Sequence, residues 1–381
     1  MTARHKIPCA IIRGGTSKGV YIEEKYLPVD RETCDRVILR IFGSPDPRQV
    51  DGLGGADPLT SKLAIVRRSR RSDADVDYTF AQVGIETASV DYSLSCGNIC
   101  SGVGPFAIDE GLVQSVEPLT TVRIFNTNTQ KLIIAEVPVK DGKSVSEGDF
   151  QIDGVPGTGA EITLRFVAPA GGATGRLLPT RNAVDGISLT NGKRINVSIV
   201  DAGNLYVFMD AGDLGLKGTE GPNDLDDAAI SLFEEIRHAA EMLLAEQNGN
   251  KKLTLKMAFV AQPQDYASYS RLREIKKEDI DITSRIITSK RMHKAYAVTG
   301  AVATSAVALV PGSVVDRLIG QTGRDGTLLR IGHPSGVIEA KAESELVRGE
   351  LVLKEVGIKR TARRIMDGHV YIPEDMFFCP N

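Results

Sequence analysis

Two segments of the chain, one in each half, are too apolar to form surface helices. They run from Gly97 to Gly111 and from Gly300 to Val310, and each opens at a glycine and continues through small residues. A helix that is apolar on all sides is buried in a core. The pattern therefore predicts two domains of similar plan, each with a central buried helix. It leaves open whether the halves arose by duplication, because the likeness of the two segments is weak.

The second of these segments lies within a charge-free stretch, Ala295–Val315, that has the length of a membrane span. This stretch mixes Thr, Ser, Pro and Gly with Ala and Val, which is a weak composition for a span. We therefore predict a helix buried in a protein core and no membrane helix.

The rest of the chain is dominated by short segments of alternating apolar and polar residues, a pattern typical of β-strands bounded by turns. Two further helices are predicted. Arg31–Phe42 carries apolar residues at helical spacing, and Asn223–Glu246 has Asn223 as its cap and Gly249 past its end. The predicted strands are KIPCAIIRGG, KLAIVRRS, VDYTFAQVGI, TVRIFNTN and KLIIAEVPV in the first half, and RINVSIVD, LYVFMDAG, LKMAFVAQP, GTLLRIGHP, GVIEAKAESE and LVLKEVGIKRTARRIMDGHVYIP in the second.

The domain boundary is predicted from a stretch rich in Gly and Pro between Val155 and Asn191. We place an N-terminal domain at residues 1–185 and a C-terminal domain at residues 186–381. The last segment, GHVYIPEDMFFCPN, either completes the second domain or crosses back to the first.

Composition argues against several classes of protein. Lys and Arg number 46 against 49 Asp and Glu, so no basic excess is present to bind nucleic acid. The five cysteines (Cys9, Cys34, Cys96, Cys100 and Cys379) are odd in number and scattered, which argues against a disulfide framework and for a reducing cytoplasm. The histidines are also scattered, and no CxxC or HExxH motif predicts a metal site. The N-terminal residues lack the apolar core of a secretory signal, so we expect a cytoplasmic protein.

Cys96 is the first candidate for chemistry, because it precedes the first buried helix in the sequence Ser95-Cys96-Gly97-Asn98. Unpaired backbone N–H groups and the positive end of the helix dipole gather at such a position. They favour a thiolate and can bind a carboxylate. The alternative is a buried cysteine that serves as a small apolar side chain. The position favours the functional interpretation for Cys96, whereas Cys100, one turn further on, is interpreted as packing.

Lys62 is the second candidate, at the start of the apolar strand Lys62–Val66. An amine held against an apolar surface loses solvation and is easier to deprotonate, so it can act as a general base near neutral pH. The alternative is a solvated lysine at a strand edge that prevents unwanted pairing. The strand pattern alone slightly favours that alternative.

Two glycine-rich loops, Arg13–Gly19 and Asp51–Ala56, resemble phosphate loops only superficially. Neither has the Gly-Lys-Ser/Thr order of a Walker A loop, and neither has GxGxxG spacing before a helix. The first loop places backbone N–H groups, the hydroxyls of Thr16 and Ser17 and the cation of Lys18 at a strand end, which suits a carboxylate. A plain tight turn is equally compatible with this sequence.

The C-terminal half offers candidates that are individually weak. The loop Gly332–Gly336 presents His333 and Ser335 either to an anion or within a hairpin turn, and Arg285 precedes the second buried helix.

The start of the second buried helix is the closest internal parallel to Cys96. Thr299 and Gly300 stand there as Cys96 and Gly97 do in the first half, with a hydroxyl in place of the thiol.

Long blocks of the chain resemble the PrpF protein family. The blocks are IPCAIIRGGTSKGVYI, GSPDPRQVDGLGGADPLTSKLAIV, DADVDYTFAQV, CGNICSGVGPFAIDEGLV and, less specifically, GHPSG, and they cover most of the first 115 residues and patches of the rest. Within the family they look most like the 3-methylitaconate Δ-isomerases, with 4-oxalomesaconate tautomerases and aconitate isomerases as relatives. The resemblance implies the α+β fold of diaminopimelate epimerase: two similar domains, each a curved sheet around a central helix, with the active site between them.

The resemblance also implies a cofactor-free isomerase that moves a C=C bond in a small unsaturated di- or tricarboxylate. The family's catalytic lysine and cysteine fall on Lys62 and Cys96. A base removes an allylic proton, charge spreads onto oxygens held by N–H donors, and a proton returns at the far end of the allyl system. The substrate-binding positions would be Thr16, Ser17, Lys18, Gly97, Asn98, Arg285, Thr299, Gly300, His333, Ser335 and Gly336.

Two alternatives stay open. A two-base racemase or epimerase of the same fold uses a cysteine from each domain, and Thr299, a poor base, stands at the second position. A non-catalytic carboxylate-binding accessory protein of propionate metabolism would need neither an amine base nor a thiolate. The presence of both Lys62 and Cys96 speaks against that reading. A homo-oligomer is compatible with the isomerase and with both alternatives, and no heptad or charge pattern in the sequence predicts an interface.

Overall fold

A computed structural model of the chain describes residues 4–247, 253–269, 273–288, 291–319 and 328–377. The chain divides into two compact units. Unit 1 comprises the residues up to Leu164 and those from Arg360 onward, and unit 2 comprises Arg165–Lys359. The division comes earlier than the expected boundary after residue 185, because the segment that follows Leu164 already bonds to unit 2. The amide of Gly171, for example, donates to the carbonyl of Asp201.

Both units are built mainly of strands with few helices, so the fold is α+β. The strands of unit 1 are β1 (Arg4–Gly14), β2 (Ser17–Glu23), β3 (Lys62–Arg68), β4 (Val76–Val83), β5 (Val90–Asp91), β6 (Leu119–Asn126), β7 (Lys131–Lys140) and β8 (Lys143–Ser144), with β9 (Ile162–Val167) at the boundary; its helices are α1 (Arg31–Phe42), α2 (Gly97–Cys100) and α3 (Val103–Asp109). Unit 2 holds β10 (Asp185–Ser188), β11 (Arg194–Ala202), β12 (Asn204–Asp210), β13 (Lys256–Ala261), β14 (Tyr266–Ala267), β15 (Glu274–Ile275), β16 (Ile282–Thr288), β17 (Arg291–Met292), β18 (Leu328–His333), β19 (Gly336–Val347) and β20 (Glu350–Arg360), with α4 (Asp227–Gln247), α5 (Val298–Ala308) and α6 (Val314–Leu318); β21 (Ala362–Pro373) follows.

The two units share one order of strand pairing. In unit 1, β1–β2 is antiparallel, β2–β3 parallel across α1, β3–β4 antiparallel, β4–β6 parallel across α2 and α3, and β6–β7 antiparallel. In unit 2, β11–β12 is antiparallel, β12–β13 parallel across α4, β13–β16 antiparallel, β16–β18 parallel across α5, and β18–β19 antiparallel. This match supports the internal duplication that the sequence left open.

Each unit has a buried helical segment in the second of its parallel crossovers, which confirms the predicted central helices. Every residue of α5 from Val298 to Val307 is buried, as are all of α2 and most of α3.

Among the residues that the structure describes, no helix combines the length and the apolar composition that a membrane span requires.

The predicted helix Gly97–Gly111 is wrong in its continuity, because it forms the two short helices α2 and α3. At the break, the amide of Ser101 donates to the carbonyl of Asn98, three residues earlier, as in a 3-10 helix. The Ser101 hydroxyl donates to the same carbonyl at 2.6 Å. Pro105 has no N–H to give to the carbonyl four residues before it, so the α-helical ladder cannot run through this point.

Helix α1 has the bounds that its apolar spacing predicts. Asp30 caps it by accepting a hydrogen bond from the amide of Thr33 at 2.9 Å. Its buried side, which includes Val37, Ile38 and Ile41, packs in one cluster with side chains of β1 to β4. The helix therefore covers one face of this sheet and leaves the opposite face to α2 and α3.

Helix α4 begins at Asp227, later than predicted, and Asn223 is not its cap. The carboxylate of Asp226 accepts a hydrogen bond from the amide of Ala229 at 2.8 Å, so it takes the capping position. Gly249, the predicted end marker, lies outside the described residues, as does Cys379.

The long strand predicted at the end of the chain is two strands, β20 and β21, separated at Thr361. Strand β21 pairs antiparallel with β1 from Arg4 to Gly14. The chain thus returns to unit 1 after completing unit 2.

Candidate active-site residues

The turn between β1 and β2 lies against the residues that open α2. Gly15 has φ of +50°, and a Cβ added there would come within 2.2 Å of the Asn98 side-chain oxygen. The amide of Thr16 donates to that oxygen at 3.4 Å. The glycine-rich turn and the Cys96 loop, far apart in sequence, are therefore in direct contact.

Thr16 and Ser17 present hydroxyls that lack a partner. Each has a buried side-chain oxygen with no hydrogen bond among the described residues, and Ser17 is only 3% exposed. Buried hydroxyls are normally paired, because an unpaired one forfeits its bond to water. A ligand oxygen at this turn would satisfy both.

Lys62 is a buried lysine in the interior of a sheet. It opens β3 between β2 and β4, and it is 8% exposed. Its Nζ donates to Gln82 Oε1 at 2.7 Å and lies 5.1 Å from the centre of the Phe80 ring. In the described part of the chain, no carboxylate is within ion-pair distance of this amine. The alternative of a solvated lysine at a strand edge is therefore wrong.

Gly19 marks the point where β2, β3 and α2 meet. It pairs with Lys62 across the parallel strands, and a Cβ there would come within 2.9 Å of both the Lys62 carbonyl and the Ile99 side chain. The amide of Lys18 donates to the carbonyl of Leu59 at 2.9 Å, which ties β2 to the loop that leads into β3. Lys62 thus begins its strand next to the helix that Cys96 opens.

Cys96 occupies the N-cap of α2 in an extended conformation and is partly exposed. Tyr78 donates to the Cys96 carbonyl at 3.2 Å, and Tyr21 donates to the Ile99 carbonyl at 2.5 Å. Burial raises the pKa of both tyrosines well above its usual value, so they stay neutral donors that hold this turn. Helix α2 has only four residues, so the long-helix dipole expected at Cys96 is missing and only the local N–H groups remain.

The loop before Cys96 is held by residues that the sequence analysis missed. Asn126, which ends β6, donates through its side-chain nitrogen to the Ser95 hydroxyl at 2.7 Å. Its side-chain oxygen accepts from the amides of Asn128 and Thr129, each at 3.0 Å. The sequence FNTNTQ signals such an Asn-rich turn, but nothing in it indicates contact with Ser95.

The other described cysteines are packing residues. Cys100 is fully buried and Cys34 is 8% exposed, as expected of packing side chains; burial raises the pKa of Cys100 far above its usual value and that of Cys34 to about 11. In the described segments, no group of three or more His, Cys, Asp or Glu side chains is arranged to hold a metal ion.

In unit 2, Arg285 is a fully buried guanidinium without a described carboxylate within ion-pair distance. Its Nε donates to the Glu220 carbonyl at 2.7 Å, and its Nη1 donates to the carbonyls of Ser284 and Gly332 at 3.0 and 3.1 Å. Its Nη2 has no partner among the described residues, and the Tyr266 ring centre lies 4.7 Å away. Burial lowers the pKa of Arg285, which reflects the cost of this unpaired charge. An anion is the ligand that such a group attracts.

Thr299 does not occupy the position in unit 2 that Cys96 has in unit 1. Ala297 is the N-cap of α5, and Thr299 is its second residue. The Thr299 hydroxyl accepts from the Asn204 side chain at 3.0 Å and lies 3.3 Å from the Tyr206 hydroxyl. A ligand-binding role would need this hydroxyl to be available, but these contacts already occupy it.

The two glycines expected to offer backbone amides to a ligand occupy different positions in their helices. Gly97 is the first residue of α2, whereas Gly300 is the third residue of α5. A Cβ on Gly300 would approach the Ile286 side chain to 2.4 Å and the Tyr206 hydroxyl to 3.2 Å. Gly300 therefore serves close packing of α5 on its sheet.

The loop around His333 forms the hairpin turn between β18 and β19. The His333 ring nitrogen Nδ1 accepts from the amide of Ser335 at 3.2 Å, and the Ser335 hydroxyl donates to the Lys294 carbonyl at 2.6 Å. Tyr266 donates to the carbonyls of His333 and Gly336 at 2.8 and 2.9 Å. The turn is thus fixed largely by its own bonds and by Tyr266.

The sequence of the whole chain is similar to proteins of known family. A model of the PrpF protein family matches residues 4–373. The chain belongs to the PrpF family. Among PrpF-family relatives, the 3-methylitaconate isomerase of Eubacterium barkeri is 48% identical over 380 residues, which span 98% of each chain. The 4-oxalomesaconate tautomerase of Pseudomonas putida is 40% identical over 377 residues, again 98% of each chain.

Two solved structures have the same fold, and the first of them is also similar in sequence. The crystal structure of methylitaconate-delta-isomerase is 46% identical, has a TM-score of 0.79 and covers 99% of this chain and 98% of its own. A hydroxyproline epimerase from Agrobacterium vitis is only 13% identical but has a TM-score of 0.63 over 99% of this chain and 96% of its own. The epimerase-like α+β fold expected from the sequence blocks is therefore confirmed.

Proposed function

We propose that this PrpF protein moves a C=C bond within a small unsaturated di- or tricarboxylate, of the 3-methylitaconate type in the first place. The chain is an isomerase by its family, and 4-oxalomesaconate and aconitate are the other candidate substrates. The observation that carries the proposal is the buried Lys62 amine, held by a neutral amide and without a described carboxylate partner. A lysine in this setting is suited to accept a proton.

The reaction needs one base and a place for negative charge. The neutral amine of Lys62 takes the allylic proton, and the C–H electron pair becomes the new C=C bond. The old double bond shifts its electrons toward the conjugated carboxylate, where the backbone N–H groups of Gly97 and Asn98 hold the developing charge. The Lys62 ammonium then returns a proton at the far end of the allyl system, and Cys96 orients or shares this transfer.

The substrate carboxylates are proposed to bind unpaired donors. In unit 1 we assign this role to the hydroxyls of Thr16 and Ser17 with the cation of Lys18, and in unit 2 to the buried Nη2 of Arg285, which has no partner among the described residues. The remaining positions already bond within the protein, so their proposed part is to shape and orient the binding surface: Thr299, Gly300, His333, Ser335 and Gly336.

Proton NMR in D₂O with 3-methylitaconate, 4-oxalomesaconate and trans-aconitate tests the proposal. We expect the double bond to move in one of them, with deuterium entering the allylic position. Label exchange with inversion of a stereocentre and no bond movement would instead favour a racemase. Binding of all three acids without exchange would favour the accessory protein.

Replacing Ser17 with alanine separates binding from stability. The hydroxyl has no described partner, so its loss should leave the melting temperature unchanged or higher. If it binds a substrate carboxylate, KM should rise about 10-fold, which corresponds to about 1.4 kcal/mol. Melting curves and steady-state kinetics check both effects.

Ser198→Ala is the matched control for Ser17→Ala. Ser198 is a buried serine whose hydroxyl donates to the Ala183 carbonyl at 2.6 Å and accepts from the Val314 amide at 2.9 Å. Its loss should lower the melting temperature and leave KM unchanged. An unchanged KM in Ser17→Ala would remove Ser17 from the binding site.

A further inference from the structure

We propose that Gln82 is a positioning residue for the isomerase reaction, because it orients the Lys62 amine without fixing the charge of that amine. This inference rests on the proposed role of Lys62 as the base. Gln82 lies on β4 directly opposite Lys62 in the antiparallel pair, and the side chains of such a pair share one face of the sheet.

The orientation of the Gln82 amide is dictated by its surroundings. Its Nε2 donates to the Ser61 carbonyl at 2.9 Å and to the Pro58 carbonyl at 3.2 Å. Carbonyl oxygens only accept, so the amide nitrogen must face them and the amide oxygen must face Lys62. In the reversed orientation the amide oxygen would face two carbonyl oxygens and the amide nitrogen would face the Lys62 amine, so the surroundings favour the orientation with the 2.7 Å bond from Lys62 Nζ to Oε1.

The loop that carries these two carbonyls is itself held by hydrogen bonds to Gln49. The Ser61 hydroxyl donates to Gln49 Oε1 at 2.7 Å, and the amide of Ala56 donates to the same oxygen at 2.8 Å. Gln49 Nε2 donates to the Ser44 hydroxyl at 2.9 Å, so this buried glutamine is satisfied at both ends. Gln82 thus connects the Lys62 amine by hydrogen bonds to a loop that is itself held in place.

A neutral acceptor matters for a lysine base. A carboxylate at residue 82 would form a charge-assisted bond to the ammonium and favour that protonated form. An amide oxygen carries no net charge, so it accepts an N–H from an ammonium or from a neutral amine and favours the ammonium less than a carboxylate does. It therefore fixes one N–H direction while leaving the amine able to lose a proton and to turn its lone pair toward a substrate.

Two variants test this role. In Gln82→Glu, the rising limb of the pH profile of kcat/KM should move to higher pH by about one unit or more. The sign follows because the base must be unprotonated, and a neighbouring carboxylate keeps it protonated up to higher pH. In Gln82→Met, which removes the acceptor at similar size, kcat should fall about 10- to 100-fold while KM changes little.

A second readout does not depend on isomerase activity. The rate at which acetic anhydride acetylates Lys62 is measured against pH by peptide mass spectrometry, without substrate. In Gln82→Glu, the pH at which the acetylation rate rises should move upward, as the rising limb of kcat/KM does. If the three acids prove not to be substrates, the acetylation curve still decides whether Gln82 governs the amine.

Gln114→Glu is the matched control, because Gln114 is exposed in the loop after α3 and gains the same charge in the same unit. Both of its pH curves should equal those of the unchanged protein. Unshifted kinetic and acetylation curves in a folded Gln82→Glu would overturn the proposal. If Gln82→Glu does not fold, a Gln82→Met variant with unchanged kcat would overturn it equally.

Discussion

Replacing Lys62 with methionine is expected to lower turnover about a thousandfold or more, with the fold intact. General acid–base catalysis by a single positioned group contributes about 10²- to 10⁴-fold, and the proposed reaction uses this amine in both proton transfers. Methionine matches the length of the lysine stem and suits a buried position beside Phe80. The main structural loss is the hydrogen bond to Gln82, which costs about 1 kcal/mol.

The measurement is double-bond movement by proton NMR, together with circular dichroism and melting curves to establish folding. Lys140→Met is the matched control, since Lys140 is an exposed lysine at the end of β7 in the same unit. It should retain full turnover. Near-normal turnover in a folded Lys62→Met would refute Lys62 as the base and, with it, the mechanism.

Local signals predicted local structure well. Apolar residues at helical spacing predict helix α1 at Arg31–Phe42, and the structure has the same bounds. The start of α4 was misjudged because Asn223 and Asp226 are both capable caps, and only the folded chain selects between them. No Gly, Pro, Asn or Asp marks the break at Thr361, so the sequence predicts one strand there. The break is seen only in the structure, where β21 pairs with β1.

The candidate site depends on pairing register, which sequence alone does not specify. Lys62 and Cys96 were identified from a family resemblance and from position. Gln82 was missed, because its link to Lys62 depends on how β3 and β4 are aligned across the intervening loop. The alternation in VDYTFAQV does place Phe80 and Gln82 on one face, but it does not say which residues of β3 they face.

The two units use one scaffold in different ways. In unit 1 the turn of the first hairpin bonds to the start of the buried helix through Thr16 and Asn98. In unit 2 the corresponding turn does so through Asn204 and Thr299. The unit 2 contact uses the threonine hydroxyl itself, whereas the Thr16 hydroxyl stays unpaired among the described residues. Among the unpaired buried donors of unit 2 is a guanidinium nitrogen, Nη2 of Arg285.

Replacing that guanidinium, in Arg285→Met, is expected to raise KM about 10- to 100-fold. Hydrogen bonds to charged groups contribute about 1.5–3 kcal/mol, and each 1.4 kcal/mol is a factor of ten in affinity. The buried Nη2, which has no partner among the described residues, is the donor proposed to bind a substrate carboxylate. Turnover at saturation should change far less than KM, because Arg285 is not proposed to transfer a proton.

Loss of Arg285 also removes the donor for the carbonyls of Glu220, Ser284 and Gly332, so the melting temperature of the free protein should fall. The decisive measurement is therefore the rise in melting temperature on adding a saturating dicarboxylate, which reports binding to the folded state. Arg285→Met should lose most of that rise.

Arg330→Met is the matched control, because the Arg330 guanidinium is already bound by the carboxylate of Asp281 at 2.8 Å. It should lower the melting temperature of the free protein and keep the full ligand-dependent rise. If Arg285→Met kept that rise and its KM, the three carbonyl contacts would be the whole function of this arginine. The burial of Nη2 without a described partner would then be a cost of folding unrelated to substrate.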